Sequence, residues 1–97
     1  MRVISRRPLH ELAKRHPDVK AELEAWYHEA KNADWANPAQ IKAKYGTASI
    51  LKGSRVVFNI CGNKYRLVVK INYPYGIAYV RFVGTHREYD QINAEEI

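Results

Sequence analysis

The chain has 97 residues, one cysteine and a net charge of +6, and these values exclude several classes of protein. A chain of this length builds one modest core, so we expect residues 1–97 to form a single domain. A lone cysteine excludes an internal disulfide, and no apolar run approaches the roughly 20 residues of a membrane-spanning helix. We therefore expect a cytoplasmic protein with no membrane partner.

The charges are distributed unevenly along the chain. Residues 1–35 carry seven Lys or Arg against six Asp or Glu. Residues 36–83 carry eight Lys or Arg and no carboxylate, whereas residues 84–97 carry one Arg against four acidic residues. The usual partner of such a basic segment is a phosphate backbone, and an acidic protein surface is the competing one. A purely solvated surface normally mixes signs, so we favour a bound partner.

The N-terminal third predicts a short strand followed by two helices. Residues 3–4 suit a brief strand, and Pro8 is typical of a first helical turn. Pro17 stops this helix and opens the next one, over residues 18–32. An apolar stripe at helical spacing supports the second helix and consists of Val19, Leu23, Trp26, Tyr27 and Ala30. The stripe predicts that Trp26 packs in the core against a sheet.

From residue 37 the pattern changes to turns, a short helix and alternating strands. Asn37 and Pro38 mark a turn, and the short helix after them ends near Gly46. Short turns join four predicted strands, at residues 48–51, 55–60, 63–73 and 77–83. Thr85 and Glu88 have the spacing of a capping box, which predicts a last short helix. We therefore expect an α+β two-layer domain, with the early helices on one face of a mostly antiparallel sheet and the first strand at an edge.

The strand over residues 63–73 presents two different faces. One face is apolar and can close a core; it consists of Tyr65, Leu67, Val69 and Ile71. The other displays cations from one rigid strand; it consists of Lys64, Arg66, Val68, Lys70 and Asn72. On the next strand, the same alternation puts Ala78, Val80 and Phe82 on one face and Tyr79 and Arg81 on the other. Arg66 and Arg81 would then both face away from the helices, beside one phosphate.

Three segments together indicate a protein family more specifically than any one of them does alone. They are VVFNICGNKYRLVVKINY, YVRFVG and THREYD. Together they resemble the HigB family of bacterial toxins, within the RelE-like superfamily of ribosome-dependent messenger-RNA endonucleases. The resemblance covers nearly the whole chain and implies a toxin that cuts messenger RNA in the ribosomal A site, without a metal or organic cofactor. It also implies a cognate antitoxin of the HigA type, which is a helix-turn-helix protein. The antitoxin, and not the toxin itself, would bind operator DNA.

The resemblance also implies roles for single residues. Arg66 matches an arginine that RelE-like toxins use near the scissile phosphate. His86 occupies a place where many relatives carry a catalytic arginine, and Tyr89 lies near a tyrosine implicated in the chemistry. One departure concerns the general base, because two lysines of better-studied relatives fall here at Val57 and Asn59. The basic residues near enough in sequence to replace them are Lys64, Lys70 and Lys52.

The chemistry of these side chains fits RNA cleavage. The 2′-hydroxyl must lose a proton, the pentacoordinate phosphate must be stabilised, and the 5′-oxygen must gain a proton. Arginine suits the second task because its planar fork offers two donors and stays charged. His86 can transfer a proton near neutral pH, with helix capping beside Thr85 as the alternative role. Tyr89 can donate, orient or stack on a base, and we expect Asp90 to hold Arg87, His86 or a backbone amide.

The predicted site therefore has two groups of residues. The catalytic candidates are Arg66, His86, Tyr89 and Arg81. The RNA-binding candidates are Lys64, Lys70, Lys52, Arg55 and Lys44. A cation–π contact with Tyr79 or Tyr73 is the competing role for Arg81. We predict no metal site, because the other histidines have no second ligand at metal spacing, and no nucleophilic role for Cys61, which no motif pairs with a base.

Three functions are compatible with a basic face. The first is a ribosome-dependent endoribonuclease, the second a module that blocks translation by binding RNA or the ribosome without cleavage, and the third an adaptor for an acidic partner. Only the first predicts cleaved messenger RNA that depends on His86 and Arg66. The antitoxin could cover the basic face or bind the mixed-charge helical surface of residues 10–34. The residues to test on that helical surface are Glu22, Glu24 and Glu29.

Overall fold

The computed structural model describes all 97 residues, as a five-stranded sheet with its first three helices on one face. In chain order the elements are β1 (Arg2–Ile4), α1 (Arg7–Arg15), a 3₁₀ turn (Pro17–Val19), α2 (Lys20–Lys31), α3 (Pro38–Lys44), β2 (Ser49–Leu51), β3 (Arg55–Ile60), β4 (Tyr65–Asn72), β5 (Ile77–Thr85) and α4 (His86–Tyr89). The strand order is β1-β5-β4-β3-β2, with only the edge pair β1–β5 parallel. This arrangement confirms the predicted α+β fold, its antiparallel meander and the edge position of the first strand. No helix is both long and apolar enough to cross a bilayer.

Side-chain hydrogen bonds cap the starts of α3 and α4, whereas α1 and α2 begin without one. The helix predicted over residues 18–32 starts at Lys20 instead, because the 3₁₀ turn precedes it. Asn37 caps α3, and its side chain accepts a hydrogen bond from the backbone nitrogen of Gln40 at 3.1 Å. An N-terminal cap of this kind contributes about 1 kcal/mol, which matters for a helix of seven residues.

The main core lies between α1, α2, α3 and one face of the sheet. Phe58 is at its centre, 1% exposed, with its ring packed edge-on against Trp26 and Tyr45 and stacked on Trp35. Trp26 is therefore a core residue, as its position in the helical stripe predicts. The apolar face of β4 is buried in this core and consists of Tyr65, Leu67, Val69 and Ile71.

A β-bulge in β5 changes the faces of that strand. Two consecutive residues of β4 pair with Phe82 and Val80, so Arg81 between them is an extra residue with no partner. A bulge shifts the alternation of side chains by one residue. Val83 consequently enters the main core, and Phe82 faces the opposite side of the sheet. The prediction that Phe82 shares a face with Ala78 and Val80 is therefore wrong.

A second apolar cluster lies on the face of the sheet opposite α1, α2 and α3, which we call the open face. Val57 and Val68 are buried there against Ala94, which belongs to the C-terminal segment, residues 86–97. The partly buried members of this cluster are Leu51, Phe82, Tyr89, Ile92 and Ile97. The face that the sequence predicts to be basic is therefore apolar at its centre, where the C-terminal segment covers Val57 and Val68.

Asp18 connects the helical layer to the start of β4. The Tyr65 hydroxyl donates to its carboxylate at 2.9 Å, and the Lys64 ammonium lies 3.5 Å away. The hydrogen bond from Tyr65, assisted by Lys64, holds the pKa of Asp18 below its ordinary value of 3.8. Because the folded pKa is the lower one, ionised Asp18 stabilises the fold above pH 3.8, and this stabilisation is lost as the pH falls through the folded pKa.

We expect Asp18→Asn to lower the free energy of unfolding at pH 7 and to have no effect at a pH below the folded pKa of Asp18. The reason is that only the ionised carboxylate benefits from Tyr65 and Lys64. Urea unfolding followed by tryptophan fluorescence at both pH values measures the difference. Asp34→Asn, at an exposed position, is the matched control. Equal losses at the two pH values would contradict this linkage.

Candidate active site

Three predicted catalytic residues meet where β4 begins and β5 ends. Arg66 pairs across the sheet with Gly84, and α4 starts at His86, so that Tyr89 ends this helix. The backbone nitrogen of His86 donates to the Lys64 carbonyl oxygen at 2.9 Å, which ties the start of α4 to the start of β4. Strand pairing and one backbone hydrogen bond therefore bring the three residues to one end of the sheet.

A capping box holds α4 in place. The Thr85 hydroxyl accepts a hydrogen bond from the Glu88 backbone nitrogen at 3.1 Å, and the Glu88 carboxylate accepts one from the Thr85 backbone nitrogen at 2.9 Å. The predicted capping box is confirmed. The backbone hydrogen bond from Thr85 is the largest of the interactions that hold the pKa of Glu88 below its ordinary value, and Arg15 adds to it. This cap is important because α4 has four residues and buries none of them.

Gly84 leaves the space in which the capping box forms. A Cβ atom at this position would lie 2.8 Å from the end of the Phe82 ring and 2.9 Å from Glu88 Oε1. We expect Gly84→Ala to displace the Glu88 carboxylate and to lower the free energy of unfolding by about 1 kcal/mol, the usual effect of losing a cap. Thermal unfolding measures this loss. Gly46→Ala is the control, since no atom lies within 4 Å of its added Cβ, and equal losses would contradict the assignment.

Asp90 orients the ring of His86. The His86 Nδ1 atom lies 3.1 Å from Asp90 Oδ2, and the two side chains are 51% and 55% exposed. A carboxylate only accepts hydrogen bonds, so Nδ1 carries the hydrogen, and in the neutral form of the ring Nε2 is then the acceptor. The prediction that Asp90 holds a neighbouring group is confirmed. An imidazole held in this way can accept a proton at Nε2 from a bound substrate.

Arg66 is held without being neutralised. Its Nη1 atom donates to the carbonyl oxygens of Asn63 and Tyr65 at 3.1 and 3.3 Å, and its Cζ atom lies 5.9 Å from the centre of the Tyr89 ring. No carboxylate lies within ion-pair distance of Arg66. The guanidinium is therefore positioned by backbone and ring contacts and retains donors for an anion such as a phosphate.

The two positions where the resemblance expects lysines have local reasons to lack them. Val57 is 2% exposed beneath the C-terminal segment, where a lysine ammonium would be buried without a partner. Asn59 pairs with Arg66 across β3 and β4, and its amide nitrogen donates to the Thr47 carbonyl oxygen at 3.3 Å. A lysine at this position would place a like charge opposite Arg66.

The three lysines considered as replacement bases are poorly placed for that role. The ammonium groups of Lys64 and Lys52 lie 3.5 and 3.4 Å from the carboxylates of Asp18 and Glu95. Lys70 follows Arg66 by four residues on β4, a distance of about 13 Å along the strand. These positions weaken all three lysines as candidates for the general base, and a role for His86 in proton transfer stays a prediction.

Of the predicted RNA-binding residues, the structure brings Arg55 and Lys70 together as direct partners across β3 and β4, and the other three lie apart from them or hold other groups. The Arg55 Nε atom donates to the backbone of the C-terminal segment at 2.7 Å, and Lys52 pairs with the same segment, so both hold it in place. Lys44 lines a cleft with Glu29 on the helical side of the protein. Lys70 alone of the five lies on the open face with no carboxylate or backbone partner.

Arg81 is separated from Arg66 on the open face. Because Arg66 pairs with Gly84, about 10 Å of β5 lies between the two arginines. The joint binding of one phosphate by the two guanidiniums stays a prediction, and their side chains would have to span this separation. Arg81 also lacks the cation–π contact with Tyr79 or Tyr73 considered as its alternative role, since the two such contacts in the protein involve other arginines.

Cys61 lies outside the site and is unsuited to nucleophilic chemistry. It occupies the turn between β3 and β4 with a φ of 53°, and its sulfur approaches the Asp18 carbonyl oxygen at 3.8 Å. Burial, followed by the charge of Glu22, raises the pKa of the thiol. A protonated thiol is a poor nucleophile, in agreement with the prediction from the sequence.

Two neighbours of Arg66 were not predicted as parts of the site. Asn59 and Gly84 lie directly opposite Arg66 on β3 and β5. Their pairing depends on the register of three strands, which the alternation of residues within one strand does not define. The short turn at Cys61–Asn63 was the one signal available, because a tight hairpin sets the register of the strands that it joins.

Comparisons with known proteins point to the same family as the three segments. Residues 19–92 match the family model HigB_toxin, described as the RelE-like toxic component of a toxin–antitoxin system. The mRNA interferase toxin HigB of Escherichia coli (strain K12) is 30% identical over 96 residues, 97% of this chain and 92% of that protein. The mRNA interferase HigB of Escherichia coli O6:H1 (strain CFT073) is 26% identical over 94 residues, 95% of this chain and 91% of that protein. The matched region includes β3, β4, β5 and α4, and the chain belongs to the HigB family of RelE-like toxins.

Proposed function

We propose that this protein is an endoribonuclease toxin that cuts messenger RNA in the A site of translating ribosomes in the cytoplasm. The observation that carries the proposal is that strand pairing and a backbone hydrogen bond place Arg66, which has no carboxylate partner, at the same end of the sheet as His86, which Asp90 orients. The first can bind a phosphate and the second can move a proton. The family and the names of the two relatives support the same activity.

The proposed reaction is the attack of a 2′-hydroxyl on the adjacent phosphorus. His86 Nε2 takes the hydroxyl proton, the 2′-oxygen bonds to phosphorus, and the bond from phosphorus to the 5′-oxygen breaks. The products are a 2′,3′-cyclic phosphate and a free 5′-hydroxyl. Arg66 stabilises the added negative charge of the pentacoordinate phosphate, and Tyr89 donates the proton that the 5′-oxygen gains.

We further propose that the ribosome supplies the alignment of the substrate. The cluster at the end of the sheet contains few functional groups, and the positions of two lysines of its relatives are occupied by Val57 and Asn59. Orientation alone can accelerate a reaction by orders of magnitude, so a substrate held by the ribosome needs fewer catalytic groups. Free RNA is accordingly expected to be cut slowly.

The function can be tested by induction in a bacterium without the antitoxin. Messenger-RNA 5′ ends are mapped for the wild type, for His86→Ala and for Arg66→Ala. New ends inside translated codons are expected for the wild type only, and a transcript without a start codon should stay intact. Growth arrest with intact transcripts would favour a block of translation without cleavage. Unaffected growth would favour the adaptor function.

We propose that the partner is a HigA-type antitoxin that binds the helical side of the toxin and reaches operator DNA itself. A groove of about 270 Å³ lies between α1 and α2 and is bordered by Glu24. The other two carboxylates considered for docking have roles inside the fold, because Glu22 accepts from the Cys61 backbone nitrogen and Glu29 from the Tyr45 hydroxyl. Glu24→Lys is therefore the informative variant, and it should weaken antitoxin binding. Unchanged binding would indicate that the antitoxin covers the open face instead.

A further inference from the structure

A depression on the open face lies at the opposite end of β4 from Arg66. Its volume is about 570 Å³, and its wall includes Lys70, Asn72, Tyr79 and Arg81. This volume falls within the range of about 300 to 1,000 Å³ that small-molecule sites usually have. The depression is thus large enough for a nucleotide and is distinct from the cluster of His86, Arg66 and Tyr89.

Strand pairing places an aromatic ring beside two cations in this depression. Lys70 and Tyr79 are direct partners across β4 and β5, so their side chains share the open face. Arg81 is the bulge residue, and β-bulges next to functional sites commonly redirect a side chain. Tyr79 is partly exposed, whereas Lys70 and Arg81 are exposed. The ring therefore has two exposed positive charges beside it.

The charges of the depression are not neutralised within the protein. Neither Lys70 nor Arg81 lies within ion-pair distance of a carboxylate, in contrast to Lys52 and Lys64. The Asn72 Oδ1 atom accepts a hydrogen bond from the Tyr75 backbone nitrogen at 3.1 Å, which orients the amide and leaves its two N–H donors available. An aromatic face, two cations and a fixed amide donor match the base, the phosphate and the base edge of a nucleotide.

We propose that this depression binds a nucleotide of single-stranded RNA that flanks the cleavage site, with its base on Tyr79 and its phosphate held by Arg81 and Lys70. The proposal rests on the proposed function, in which Arg66 holds the scissile phosphate. Because about 13 Å along β4 separates Arg66 from Lys70, the depression would hold a nucleotide other than the one whose phosphate Arg66 binds. Arg81 is accordingly a binding residue.

The test uses a hexaribonucleotide with 2′-O-methyl groups, which cannot be cut because the attacking hydroxyl is blocked. Its affinity for the full-length protein is measured by fluorescence anisotropy at low salt. Tyr79→Leu is expected to weaken binding by about 5- to 100-fold, the usual effect of removing a stacking platform, and Arg81→Ala should weaken it as well because a phosphate contact is lost. Tyr75→Leu and Arg7→Ala are matched controls, because Tyr75 is 80% exposed in a turn and Arg7 lies on α1. Both controls should keep the wild-type affinity.

A second measurement separates binding from chemistry. In ribosome-bound cleavage, Arg81→Ala should raise the KM, whereas His86→Ala should lower kcat and still bind the blocked oligonucleotide. Equal affinities for Tyr79→Leu and Tyr75→Leu would overturn the proposal, as would a fall in kcat for Arg81→Ala as large as that for Arg66→Ala. If the affinities follow the expected pattern but the protein cuts no RNA, the depression is a nucleotide-binding site and the proposed endoribonuclease function is refuted.

Discussion

Arg66→Ala is expected to slow the cleavage of ribosome-bound messenger RNA by about 100- to 1,000-fold, the usual effect of removing one donor that stabilises transition-state charge. Arg66 is the cation of this cluster that has no carboxylate partner and that backbone carbonyl groups hold in position. Arg66→Lys should restore only part of the rate, because an ammonium lacks the planar fork that binds two phosphate oxygens. Single-turnover cleavage on ribosomes programmed with a defined codon measures both variants.

Arg7→Ala is the control for this prediction, since it removes the same charge from an exposed position on α1. Full activity in Arg66→Lys would show that positive charge alone is sufficient and that guanidinium geometry has no role. An unchanged rate in Arg66→Ala would remove Arg66 from the mechanism.

His86→Ala is expected to slow the same reaction by about 100- to 10,000-fold, which is the usual contribution of a positioned proton-transfer group. Asp90→Ala should slow cleavage less than His86→Ala does, because the imidazole remains and only its orientation is lost. Since Asp90 acts through the ring of His86 at 3.1 Å, the double variant should be no slower than His86→Ala alone. The same single-turnover assay measures all three variants.

His10→Ala, at an exposed position on α1, is the matched control and should cleave at the wild-type rate. Multiplied losses in the double variant of His86 and Asp90 would show that the carboxylate acts independently of the ring. A normal rate in His86→Ala would transfer the role of base to another group, and Lys64 would then be the first to replace.

Most of the fold could be predicted because its signals are local. Pro17 separates the first two helices, the stripe around Trp26 predicts α2 and its buried side, and Thr85 with Glu88 predicts the cap of α4. Each of these signals lies within a few residues of the structure that it specifies. The bulge at Arg81 has no such signal, because it arises from the pairing of two strands, and the faces of β5 were consequently assigned incorrectly.

In the candidate site, too, local contacts could be predicted and contacts between distant segments could not. Asp90 follows His86 at helical spacing, so their contact could be anticipated once α4 was predicted. The partners of Lys52 and Lys64 could not, because Glu95 and Asp18 lie outside the basic segment and meet it only in the folded protein. The absence of carboxylates from residues 36–83 therefore does not mean that the folded surface of this segment lacks them. Carboxylates from both ends of the chain pack against it.

The C-terminal segment also determines how the stability of the site is distributed. β4 is covered on both faces at its centre, where Val68 and Val69 are fully buried, so its amide hydrogens should exchange only when the whole protein unfolds. Arg66 lies on this strand, whereas His86 and Asp90 depend on a four-residue helix that buries none of its residues. One part of the site thus belongs to the slowest-exchanging region of the protein and the other to a region that can open by itself. On heating, we expect cleavage to fail before the sheet melts, because the helix that carries the base detaches from a strand that remains folded.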